Sequence, residues 1–168
     1  MGYTTDFQGR FDLDRPLTPA QVKYLQSFSR TRRMKRDADK VSVLPDADRE
    51  AVGLPVGLDG AYYVGSQRDY GQNRTADVID YNSPPTGQPG LWCHWTPTDD
   101  GTAIEWDGGE KFYHYVEWIE YLVEHFLKPW GYVVNGQVEW NGEDRDDIGR
   151  IVVHDNKVSS QDGEIVYH

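Results

Sequence analysis

Cysteine is nearly absent. Cys93 is the only one in 168 residues, so no disulfide can close within the chain and no cysteine-rich metal cluster can assemble. Long apolar runs are missing as well. The most apolar stretch, 112–130, is interrupted by Glu117, Glu120 and Glu124, well short of the roughly 20 apolar residues that cross a bilayer. The first residues, Met1 to Asp6, have neither the basic region nor the apolar core of a secretory signal, and Asp6 stands where a myristoylation signal carries Ser or Thr. These absences predict a soluble, cytoplasmic protein with no membrane contact.

Positive charge is also scarce. Lys and Arg number 17 against 28 Asp and Glu, a formal net charge of −11, and such a field repels phosphate backbones, so no direct general DNA binding is expected. The signatures of several chemistries are missing. There is no Gly-x-Ser-x-Gly elbow and no His-Glu-x-x-His pair, and the Gly-rich stretch 53–60 lacks the Gly-Lys-Ser/Thr ending of a phosphate loop. The acidic run Glu143-Asp144-Arg145-Asp146-Asp147 departs from a calcium loop, because counting from Asp144 it has no glutamate at the twelfth position. It reads as a solvated loop. Neither a cofactor nor a metal is expected.

What is present describes a folded protein. The length suits one domain, and 13% aromatic residues supply large side chains to bury. Thr18-Pro19-Ala20-Gln21 is a capping box with proline at the first helical position, predicting a helix over 18–30 whose apolar side is Val22, Tyr24, Leu25 and Phe28 and which would pack onto a sheet. Asp46 to Val52 predicts a shorter helix stopped by Gly53. Residues 53–90, rich in Gly, Pro, Asn and Ser, predict loops with short strands at Ala61 to Val64 and Asp77 to Tyr81.

From Leu91 the pattern sharpens. Leu91 to Pro97 and Thr102 to Trp106 alternate around Thr98-Asp99-Asp100-Gly101, predicting a hairpin. Asp107 and Glu110 are spaced as the box opening a helix, in which Phe112, Tyr115, Val116, Ile119, Leu122, Val123 and Phe126 form one apolar face up to Pro129. Asn135-Gly136, the preferred two-residue turn, predicts a hairpin placing Val133, Val138 and Trp140 on one face. A second hairpin turns at Asp155-Asn156 and gathers Ile151, Val153 and Val158, and Asp162-Gly163 predicts a last turn into 164–168. The expected fold is a single α+β domain over 1–168: an antiparallel β-sheet of hairpins and a C-terminal meander, one long helix across it, and a shorter N-terminal helix.

Candidate binding residues fall in two groups. On the long helix His114, Trp118, Tyr121 and His125 lie together, away from the apolar stripe; exposed, they would form a contact surface, since Trp and Tyr are enriched at binding hot spots, and covered, they would belong to the interior. The basic island Arg30, Arg32, Arg33, Lys35 and Arg36 offers Arg32, Arg33 and Arg36 to a phosphate or nucleotide, or pairs with the chain's own carboxylates. Cys93 and His94 point to opposite faces of a strand, which argues against a dyad. Glu105 and Asp107 flank Trp106 in a manner open to glycoside chemistry, although a chance pair is expected among so many acids.

The segments Gly90 to Cys93, Asp107 to Phe112 and His125 to Tyr132 together resemble an uncharacterised family of hypothetical proteins from bacteria and their phages, over most of the chain. The resemblance implies a compact accessory protein and brings no activity or site residue. With strong structural signals and no catalytic constellation, the expected function is non-enzymatic binding or regulation through contact with a protein partner, a second copy of the chain included. The alternatives are a protein or enzyme acting on a nucleotide or other phosphorylated compound through the basic cluster, and an acidic nucleic-acid mimic.

Overall fold

The computed structural model describes residues 2–65 and 71–167; residues 66–70 of the Gly/Pro-rich middle, and the ends at Met1 and His168, lie outside the described residues. In chain order the elements are β1 (Asp6–Leu13), α1 (Pro19–Arg30), β2 (Lys35–Arg36), α2 (Ala38–Val41), α3 (Ala47–Ala51), a 3₁₀ turn (Leu58–Gly60), β3 (Val78–Asp80), β4 (Trp95–Pro97), β5 (Ala103–Trp106), α4 (Tyr115–Leu122) running into a π-helical turn (Val123–Leu127), β6 (Val134–Asn141), β7 (Ile148–His154) and β8 (Lys157–Asp162). The fold is α+β. It packs as two compact units, one formed by the N-terminal segment through Pro16 with His94 onward, the other by Leu17–Cys93. No helix among the described residues is long and apolar enough to cross a membrane.

The first unit holds a six-stranded antiparallel sheet in the order β4-β5-β1-β6-β7-β8. Its inner face carries Phe7, Phe11, Val138, Trp140, Ile151 and Val153, all buried. The rings interlock: Phe7 lies 5.2 Å from Trp95 and 5.0 Å from Tyr115, and Phe11 5.4 Å from Trp95, each in an edge-on geometry that aromatic pairs prefer. The opposite face is polar along Gln8, Arg10, Asp12, Gln137 and Glu139, all exposed, as expected for an antiparallel sheet wet on one side.

Two expectations about this unit are corrected. Asn135-Gly136 is not a turn. Both residues lie inside β6, which pairs over its full length with β1, so Val134, Val138 and Trp140 face inward while Val133 stays 36% exposed. The long helix also begins later than the Asp107/Glu110 spacing indicates. Lys111 and His114 adopt left-handed conformations, φ 61° and 57°, that stop a helix from starting earlier, and Asp107 accepts from the Gly109 amide at 2.7 Å in a local turn instead. Phe112 is buried all the same, at the foot of the helix.

Both predicted turns that do form show why. Asp155 and Asn156 have φ of 47° and 69°, the paired positive values of the primed hairpin turn, and Val153 faces Val158 across it. In the β4–β5 turn, Asp100 accepts from the Thr98 and Thr102 hydroxyls at 2.7 Å each and from the Thr102 amide at 3.1 Å. These bonds hold its carboxyl down at about 2, against an ordinary 3.8. A depressed folded value stabilises above the unfolded one and is lost as pH falls through the folded one. The turn therefore contributes fully above about pH 4 and weakens between there and about pH 2. In Asp100→Asn that increment of acid sensitivity should vanish from melting temperatures recorded across the window; an unchanged profile would refute the assignment.

The second unit is built on α1. The Thr18–Gln21 box is complete: the Gln21 amide donates to Thr18 Oγ1 at 3.2 Å and the Thr18 amide to Gln21 Oε1 at 3.0 Å, a cap worth about 1 kcal/mol. Tyr24, Leu25 and Phe28 are buried. Asp46 precedes α3 and is held by Arg49 at 2.5 Å while accepting from the Val64 and Gly65 amides at 3.2 and 2.9 Å. The predicted strand at Asp77 to Tyr81 appears as β3, paired with β2. That at Ala61 to Val64 does not: the segment is irregular, and its carbonyls are taken by side chains.

Candidate functional site

The basic island supplies one of those side chains, Arg33. Arg33 and Arg36 are 1% and 3% exposed, placing them inside the unit and not on a surface ready to grip phosphate. Arg33 donates to the carbonyls of Ala61, at 3.4 Å, and Tyr63, and its guanidinium lies over Phe28 at 4.3 Å. Arg36 pairs with Asp77 at 2.6 Å, donates to the Gly71 carbonyl at 2.9 Å and stacks on Tyr63. Burial pushes the Asp77 carboxyl up, but hydrogen bonds from Thr75 and Arg36 outweigh it and hold it below the ordinary value. Half-buried Arg32 donates to the Tyr81 carbonyl at 3.0 Å and stacks on that ring. A chain segment with little regular structure still has to satisfy its buried carbonyls, and the planar arginine fork does this for several at once. Arg32, Arg33 and Arg36 of the island are internal clasps, while Arg30 is exposed.

The helix group divides. Trp118 is fully buried and Tyr121 is 7% exposed, so of the two readings open to them these two take the interior one. Tyr121 meets Trp118 at 5.5 Å and stacks on His125 at 3.9 Å. Partial burial of the His125 imidazole pushes its pKa below the ordinary value. His114, exposed at the start of α4, is separate from these three and turns to another feature described below.

Two constellations were hidden from sequence reasoning by their separation. His94 Nδ1 lies 3.0 Å from both carboxylate oxygens of Asp107, with the ring edge-on to Phe112 at 5.1 Å. The pair fixes the imidazole, yet no nucleophile is hydrogen-bonded to it among the described residues, so the geometry describes a brace for the loop after β5. Cys93 beside it is buried. The acidic loop is tied down likewise: Asp147 accepts from the Tyr3 hydroxyl at 2.7 Å and from Trp140 Nε1 at 3.1 Å, and Glu143 from the Thr4 amide at 2.9 Å.

The remaining feature is the far edge of the large sheet. The two edges differ. β4 has three residues and ends in Pro97, whose missing amide blocks pairing. β8 has six, Lys157–Asp162, and among the described residues it pairs only with β7. Because the residues flanking a two-residue hairpin turn are hydrogen-bonded to each other, alternation directs the amides of Lys157, Ser159 and Gln161 toward β7 and those of Val158, Ser160 and Asp162 outward. The Gly163 amide, donating to the Ile148 carbonyl at 2.8 Å, keeps that phase. Just beyond, Ile165, Val166 and Tyr167 are 38, 63 and 74% exposed.

Behind this edge lies a cleft of about 330 Å³ lined by His114, Tyr115, Val116 and Glu117 at the start of α4, Trp140 of β6, and Ser160 and Asp162 of β8. It adjoins a groove of about 440 Å³ that shares Trp140 and Asp162. Tyr115 and Trp140 stand 5.4 Å apart. Burial, together with the charges of Asp147, Glu117 and Asp162, pushes the Tyr115 hydroxyl up to about 12. The turn expected at Asp162-Gly163 is corrected: β8 continues through Asp162, which pairs with Gly149, so Val158, Ser160 and Asp162 share one strand face that meets the first turn of α4. Compared with known proteins, the chain matches no family model, no curated protein and no solved structure.

Proposed function

We propose that this protein is a non-enzymatic binding protein that acts by protein contact, accepting an extended segment of its partner as an additional strand beside β8. The observation that carries this reading is the asymmetry of the sheet's edges: one is three residues long and ends in proline, the other is six residues long and open. Sheet proteins ordinarily blunt or cover such an edge, and strand addition uses the outward amides for affinity and alternate side chains for choice of partner. The exposed Ile165, Val166 and Tyr167 add apolar area next to it. A role in gripping phosphate draws no comparable support, because Arg33 and Arg36 are buried in clasps.

The alternation of β8 provides a test. On titration with the blocked peptide acetyl-Val-Thr-Gln-Thr-Val-amide, the amides of Val158, Ser160 and Asp162 should shift in nuclear magnetic resonance spectra and gain protection from hydrogen exchange, while those of Lys157, Ser159 and Gln161 should change little. Ser160→Pro, which removes one outward donor and none directed at β7, should abolish the response. Shifts confined to another part of the molecule, or no shift at millimolar peptide, would overturn the proposal.

A further inference from the structure

The cleft behind β8 has a chemistry of its own. Among the described residues its lining includes two carboxylates, Glu117 and Asp162, and no Lys or Arg. A third, Asp147, stands close enough to act on the Tyr115 hydroxyl along with them. One wall is aromatic, formed by Trp140 and Tyr115. The N-terminal end of α4 by itself would favour an anion, but an incoming anion would meet the carboxylates already there. Carboxylates beside aromatic faces favour a cation, and the net charge of −11 favours the approach of one from a distance.

Position links the cleft to the edge. Ser160 and Asp162 line it with side chains that project from the inner face of β8, and their amides are the ones directed outward. A strand added beside β8 would place every second side chain on that same inner face, next to Ser160 and Asp162 and toward the cleft. Resting on the reading of β8 as an acceptor of a partner strand, we propose that the partner segment is basic and that one of its arginines enters the cleft between α4 and β8, its guanidinium between the Glu117 and Asp162 carboxylates and against the rings of Tyr115 and Trp140. Arginine suits the site better than lysine, because its flat fork can both stack and bind a carboxylate through two nitrogens.

Three blocked peptides, acetyl-Val-Thr-X-Thr-Val-amide with X as Arg, Gln or Glu, separate the two ideas on the native protein. The Arg peptide should bind about tenfold more tightly than the Gln peptide, the combined size of a partly exposed ion pair and a ring contact, and the Glu peptide should bind more weakly than both. The preference for Arg should shrink as salt rises. In Asp162→Asn and Glu117→Gln the Arg peptide should lose most of its advantage while the Gln peptide binds as before, with circular dichroism melts checking that each variant is folded. Equal binding of the three peptides to the native protein, with the β8 amides still shifting, overturns the basic-partner inference and leaves strand addition standing. Failure of every peptide to shift the β8 amides overturns both, and should a variant not fold, the three-peptide comparison on native protein decides alone.

Discussion

Arg36→Ala is expected to lower the stability of the unit built on α1 by about 3 to 5 kcal/mol, the usual consequence of leaving one member of a buried ion pair without its partner. The Arg36 and Asp77 side chains are 4% and 6% exposed, so water cannot readily replace the lost guanidinium. The substitution also removes the Arg36 hydrogen bond to the Gly71 carbonyl and the stack on Tyr63. Arg36→Lys should recover little, since an ammonium cannot fork between Asp77 and a carbonyl while lying flat on a ring. Replacing the pair together, Arg36→Met with Asp77→Leu, should be milder than the alanine variant alone, because no buried charge is then stranded. Urea denaturation measures all three; a loss below about 1 kcal/mol for Arg36→Ala, the size of an exposed pair, would refute the clasp. Acid should act in the same direction. The Asp77 carboxyl is held below its ordinary 3.8, so its contribution is present above that value and fades as pH falls through the lower folded one.

Gly136→Ala should cost about 3 kcal/mol, the upper part of the range for forcing extra atoms into a packed site. A Cβ there would sit 2.6 Å from the Arg10 carbonyl oxygen and 2.8 Å from the Phe11 Cα. Both are backbone atoms of the neighbouring strand β1, which cannot swing aside as a flexible side chain would, and the strands would have to part at the centre of the sheet. Gly53 supplies the comparison. It has φ of +72° but nothing within 4 Å of an added Cβ, so Gly53→Ala should cost only the left-handed strain, about 1 to 2 kcal/mol. Thermal melts that rank the two variants in the reverse order would show that β1 and β6 do not approach as described.

The difference between these two glycines also shows where sequence reading stops. Asn135-Gly136 has the composition of a turn, and read locally nothing contradicts it. The glycine is required for a different reason, the close passage of β1, a strand 125 residues away in the pairing of Phe11 with Gly136. β1 itself escapes notice because Asp6-Phe7-Gln8-Gly9-Arg10-Phe11 offers only two apolar side chains, and it becomes a strand through pairing on both sides. Asp155-Asn156 was legible since a primed turn is decided by the two residues in it. Thr18 to Gln21 was legible likewise, the whole capping box lying within four residues. In the candidate site the strand around Val158 was legible, but Asp162 has the composition of a turn and joins the inner-facing row only because β8 continues along β7, and the cleft depends on Glu117 and Trp140 arriving from other elements.

The amino-acid sequence alone determined the features whose energetics are local: the capped N-terminal helix, the stop at Gly53, the hairpins at 98–101 and 155–156, the apolar stripe through Phe126 and the α+β class they compose. Tertiary structure decided which strands became neighbours, that the arginines of 32–36 would face carbonyls and not solvent, that Trp118 and Tyr121 would be buried, and that one edge of the sheet would stay open beside an acidic, aromatic cleft. The division has a physical cause. Capping, turn conformation and periodicity are interactions among residues a few positions apart, whereas pairing, burial and the meeting of charges are set by segments that come together only after the chain has folded.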